Sequence, residues 1–151
     1  MITSQIARQF REVHFGGNWT SVNLKETLAP IDLELASRKL PGTNSIAELV
    51  FHINYYVSAV LKVLQGGTLD ASDKYSFVLP ALETESGWRA LVDKTLAEAE
   101  AFALEIEKLP DAQLLQDFTD PKYGSWYRNI SGIIEHTHYH LGQIVLLKKP
   151  E

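Results

Sequence analysis

The chain has no cysteine. That excludes disulfides, thiolate metal sites and cysteine nucleophiles. Positive charge is also scarce: 14 Lys and Arg, scattered along the chain, face 19 Asp and Glu, for a formal net charge of −5. Nucleic acid is therefore not an expected partner, because phosphate neutralisation needs a basic patch. No apolar run is expected to reach the roughly 20 residues of a membrane span. The start, MITSQIARQF, has no charged segment leading into an apolar one, so no secretory leader is expected and a cytoplasmic location is. Internal repeats, low-complexity tracts and alternating strand-like segments are all missing. At 151 residues the chain reads as a single domain, 1–151, long enough to bury a core without staples.

What is present is helical periodicity. Ile2, Ile6, Phe10 and Val13 predict a first helix from about Ile2 to His14, interrupted at Gly16-Gly17. A second stretch, about Thr20 to Ala29, carries Val22, Leu24 and Leu28, and 32–39 offers a short helical turn. Ser45 followed by Glu48 predicts a capping box opening a long apolar helix that ends near Gln65, before Gly66-Gly67. Residues 68–83 read as loop. Further helices are predicted from about Ser86 to Leu109 and from about Ser125 to Lys148. The expected architecture is all-α: a four-helix bundle of up-and-down type with additional short helical segments.

Three of the five histidines fall in one segment, His136-Thr137-His138-Tyr139-His140. At about 100° per residue from Ile133, His136 lies near 300°, His140 near 340°, Gln143 near 280° and His138 near 140°. The pair His136 and His140 thus points to the bundle interior with Gln143 beside it, and His138 points away. Neutral imidazole suits transition metals. Alone, the i, i+4 spacing is more often two part-buried, hydrogen-bonded histidines. No glutamate follows His136, so the zincin arrangement is missing. His52, in the middle of the most apolar helix, shifts the balance. A buried imidazole there needs a partner, either a carbonyl on a facing helix or a metal shared with His136 and His140. Three histidine ligands would leave an open position, as in catalytic sites.

His14 reads as a dipole-stabilised residue at a helix end. Trp19, Trp88 and Trp126 read as core or pocket walls. Tyr55, Tyr56, Tyr127 and Tyr139 read as packing residues with hydroxyls to spare, Gly142 as a possible close approach of another helix, and Glu98 to Glu107 as a solvated face.

Ser45-Ile46-Ala47-Glu48-Leu49-Val50-Phe51-His52, together with Glu135-His136-Thr137-His138-Tyr139-His140-Leu141-Gly142-Gln143-Ile144, resembles the DinB-like superfamily of metal-binding four-helix bundles (DinB/YfiT-like). Its pattern is a histidine, three residues, then a histidine followed within three residues by Gly-Gln. The resemblance implies a metal triad of His52, His136 and His140, with no ligand role for His138. Leu141 departs from it, since arginine is frequent before the Gly-Gln, and a substrate role carried by that arginine does not transfer. The resemblance also implies a homodimer, and members include metal-dependent transferases and an isomerase that use low-molecular-weight thiols.

Two functions are expected on these grounds. In the first, a divalent transition metal, Zn or Ni, on His52, His136 and His140 activates a thiol or water for transfer to, or hydrolysis of, a small-molecule substrate, with Gln143 orienting a histidine. In the second, the chain is a non-catalytic metal- or ligand-binding bundle, or a dimerisation module.

Overall fold

The computed structural model describes residues 1–149; the last two residues of the expected domain, 150–151, lie outside the described residues. Six α-helices are present among them: α1 (Ile2–Phe15), α2 (Leu24–Leu28), α3 (Leu33–Ser37), α4 (Ile46–Leu64), α5 (Glu85–Lys108) and α6 (Trp126–Leu147). Short 3-10 turns at Asp73–Tyr75, Asp111–Leu115 and Pro121–Tyr123 lie in the connections.

The caps are local chemistry. Ser45 Oγ accepts from the Glu48 backbone N–H at 3.2 Å, and Glu48 accepts from the Ser45 N–H at 2.7 Å, completing the expected capping box. Thr84 caps α5 and Ser125 caps α6 in the same single-acceptor manner. α2 is shorter than the periodicity predicts. The Asn18 side chain donates to the carbonyls of Glu12 and Val22 and accepts from Thr20, which fixes residues 18–21 in a turn and delays the helix to Leu24.

The four long helices form a ring in which α1 packs on α5, α5 on α4, α4 on α6 and α6 on α1. The core has two apolar clusters. One joins Phe10, Val57, Phe102 and Ile130; the other joins Val13, Ile53, Trp88 and Ile144. Going up the chain, α1 and α6 run from the first cluster to the second, while α4 and α5 run from the second to the first. α4 and α5 are therefore parallel, which corrects the expected up-and-down topology. Sequential parallel helices need a connection that travels back along a full helix, and residues 65–84 supply it across the ~28 Å of α4.

α4 is long and apolar enough to cross a membrane by length and composition, contrary to the expectation that no run is. Its apolarity has another cause here: α4 contacts α5, α6 and α3, and 61% of its most apolar window is buried.

Several single-residue expectations change. Trp88 is fully buried, but Trp19 is fully exposed, and Trp126 is half-buried with its ring edge-on to Phe118. Close approach of another helix does not require Gly142: among the described residues a Cβ there would meet nothing within 4 Å. The acidic face of α5 is not simply solvated, since Arg11 of α1 bonds Glu100 and Glu107, and Asn54 of α4 bonds Glu98.

His14 is not a charged helix-end residue. It is fully buried against the Phe10 ring (centroids 4.3 Å apart), and its Nδ1–H donates to the Phe10 carbonyl at 2.9 Å. Its Nε2 has no partner among the described residues. Burial pushes its pKa from 6.5 down to about 4. Below pH 6.5 the unfolded chain takes up a proton that the folded one refuses. The associated stability is whole above pH 6.5 and is lost as pH falls towards 4, amounting to roughly 2 kcal/mol at pH 5. Urea unfolding of His14→Leu should therefore depend less steeply on pH between 7 and 5 than unfolding of the wild type. Identical slopes would show that His14 does not titrate in this way.

Candidate metal centre

Where the two core clusters meet, α4 and α6 run antiparallel and carry polar side chains inward. His52 of α4 sits between Val50 and Ile53 of one cluster and Val57 of the other; His136 and His140 of α6 sit between Ile134 and Leu141. The structure brings the three together. His136 Nε2 is 2.9 Å from His52 Nε2 and 3.1 Å from His140 Nε2. The ligating atoms of all three lie within 4.8 Å of one another, so the set could hold a metal ion. His52 and His140 are buried and His136 is partly so. One turn of helix separates His136 from His140, which is why two rings from one helix can converge.

The outer nitrogens fix the inner ones. His52 Nδ1 faces the Ser76 carbonyl at 3.2 Å. A carbonyl only accepts, so Nδ1 carries the proton and Nε2 presents a lone pair. His140 Nδ1 donates to Gln143 Oε1 at 2.7 Å, with the same effect. His136 Nε2 can give at most one proton to the two lone pairs facing it, and its own Nδ1 is buried without a partner among the described residues. Three imidazole nitrogens thus converge with more lone pairs than protons, and a cation resolves that excess. The donor set fits a divalent transition metal.

Charge state agrees. Burial, followed by the neighbouring His140 and His52, holds His136 down at about pKa 4. Burial and His140 also lower His52. Both are neutral at pH 7, the ligating form.

Aromatic rings wall the cluster. Phe77 stacks on His52 with ring centroids 3.7 Å apart and planes 9° from parallel. Tyr56 stands edge-on to both His52 and His136, and Tyr139 edge-on to His140. Ser76 and Phe77 come from the connection that runs back along α4. Two tyrosines pin that connection: Tyr56 donates to Asp73 at 2.6 Å, and Tyr55 accepts from the Ser72 N–H at 2.9 Å. Sequence reasoning read 68–83 only as loop. Its one available signal was Tyr75-Ser76-Phe77-Val78, an apolar run in a polar segment.

Gln143 lies where the helix wheel places it, and His138 faces away from the cluster. His138 instead lines a groove with Thr20, Val22 and Leu141. Tyr127 is exposed.

A cleft of about 390 Å³ opens beside His136 between α4 and α6. Tyr56 and Val60 form one wall. Arg128, Gly132, Glu135 and His136 form the other.

A family model described as the DinB superfamily matches residues 18–144, a span that holds all three histidines and Gln143. Comparison with curated proteins and with solved structures gives no match. With the family model covering most of its length, the chain belongs to the DinB superfamily.

Proposed function

We propose that the protein is a metal-dependent enzyme acting on a small molecule, with His52, His136 and His140 as the ligands of one divalent ion, Zn or Ni. The observation behind this reading is the convergence of three Nε2 atoms, two of them fixed as lone pairs by Ser76 and Gln143, next to a cleft large enough for a small substrate. Three protein ligands are the number used where a metal keeps a position for substrate or water. When bound, such a metal supplies Lewis acidity, which lowers the pKa of a water or thiol and polarises an acceptor.

The chain's own residues do the rest. Ser76 and Gln143 hold two imidazoles in the ligating tautomer. Phe77 and Tyr56 restrict water around His52. Burial raises the phenol pKa of Tyr56, with its bond to Asp73 adding to the rise, so that hydroxyl stays protonated and anchors the covering segment. Low-molecular-weight thiols are the proposed co-substrates, on the strength of the family. A homodimer is proposed on the same ground, with the exposed Trp19, Tyr139 and Leu146 as apolar surface available to it.

The test is turnover of a panel of small thiols with an electrophile by metal-loaded protein. Product should form, stop on chelation and return on adding metal. Full metal occupancy with no turnover across the panel would instead favour the non-catalytic metal-binding bundle. Elemental analysis of untagged protein identifies the ion.

A further inference from the structure

The cleft beside His136 has a built character that the histidines do not require. Gly132 lies in the interior of α6, where glycine costs stability relative to other residues. Packing does not demand it: a Cβ there would meet nothing within 4 Å. The space it leaves is the cleft. One turn earlier, Arg128 is held in place. Its stem lies over Gly124, where a Cβ would come within 2.9 Å of Arg128 Cδ, and its Nη1 donates to the Tyr123 carbonyl at 3.0 Å. Gly124 has φ +75°, so glycine also suits that backbone. Among the described residues, Arg128 Nε and Nη2 donate to nothing and the guanidinium has no carboxylate partner. At the other end, Glu135 has no cationic partner among the described residues either. The cleft thus has a fixed cation at one end, a carboxylate beside His136 at the other, and an unfilled floor between.

We infer that this cleft binds an extended organic anion, its carboxylate on Arg128 and its body over Gly132, reaching towards His136. The inference rests on the metal-site reading for the ligand's inner end. A guanidinium with two N–H directions left over matches a carboxylate. Glu135 disfavours a second carboxylate near His136, whereas a negative atom taken up by the metal has its charge offset there. Arg128 and His136 are eight residues apart, about 12 Å along the helix, and the guanidinium leans back towards Tyr123, so the ligand that joins the two ends must be extended.

The experiment uses Co²⁺-loaded protein and two extended thiols of similar size: 6-mercaptohexanoate, whose carboxylate is an anion, and 6-mercapto-1-hexanol, whose far end is neutral. Thiolate-to-cobalt charge-transfer absorption reports binding. Wild type should prefer the anion by about tenfold, and Arg128→Gln should remove that preference while leaving Co²⁺ affinity unchanged. Gly132→Leu should weaken both thiols at least tenfold. In metal-free protein the same substitution should raise the thermal midpoint, because leucine favours helix and its Cβ enters open space. A lowered midpoint would show that packing needs the glycine and would overturn the cleft's role. Equal thiol affinities in wild type and Arg128→Gln would overturn the anion inference and leave the metal site standing. Failure to bind Co²⁺ at all would overturn both.

Discussion

His136→Ala should lower affinity for Zn²⁺ by at least about 100-fold, and His52→Ala and His140→Ala should do the same. Each removes one of only three protein ligands, and two imidazoles hold such an ion far less well. His136 should be the most sensitive, because its Nε2 lies within about 3 Å of both other ligating nitrogens. Gln143→Ala should cost roughly tenfold, since it frees the His140 ring and leaves its proton unassigned. His138→Ala should change nothing, because that ring lines a different groove. Competition against a chromophoric chelator, with helicity checked by circular dichroism, measures all five variants. Loss of metal in His138→Ala together with retention in His52→Ala would place the ion in a local cluster on α6 and refute the inter-helix assignment.

Trp88→Ala should destabilise the fold by roughly 3–5 kcal/mol, the range for removing a large aromatic from a core. The indole is fully buried among Leu24, Leu28, Ile31 and Ile46, and its Nε1–H donates to the Ile31 carbonyl at 2.7 Å. That bond ties α5 to the segment between α2 and α3. Trp88→Phe keeps most of the volume and should lose mainly the hydrogen bond, about 1 kcal/mol. Arg89 Nη2 also donates to the Ile31 carbonyl, so that oxygen is not orphaned. Guanidinium unfolding distinguishes the two variants. A Trp88→Ala protein within about 1 kcal/mol of wild type would mean that the surrounding side chains collapse into the space, and that the indole is not a structural anchor. Zn²⁺ affinity should be unaffected in Trp88→Phe, because Trp88 is neither one of the three histidines nor bonded to one.

Much of this was legible in the sequence, for identifiable reasons. The apolar stripes and the Ser45–Glu48 box are short-range signals, and they placed α4 and α6 to within a residue or two. The histidine geometry on α6 follows from helical periodicity alone. The participation of His52 was inferable because a lone imidazole in an apolar helix needs a partner. Topology was not inferable in the same way. Whether α4 and α5 run parallel depends on where residues 65–84 travel, and their polar composition fits a short turn or a long return equally well. The roles of Ser76 and Phe77 were hidden for the same reason, since they arise only once that segment lies over His52. His14 was misread because its burial depends on the other helices packed against α1; Phe10, one turn earlier, marks the apolar face but not whether that face is still covered at the helix end.

The placing of the cluster also orders its assembly in time. One histidine sits in α4 and the other two 84 residues later, in α6, the last helix of the bundle. As the chain is synthesised, α1, α4 and α5 can emerge and begin to pack while only His52 is available. The complete nitrogen set forms only when α6 docks between α4 and α1. An ion captured at that moment would tie together segments 84 residues apart and hold α6 against α4. The metal site would then be complete only with the last helix in place, and a chain lacking α6 would offer His52 alone.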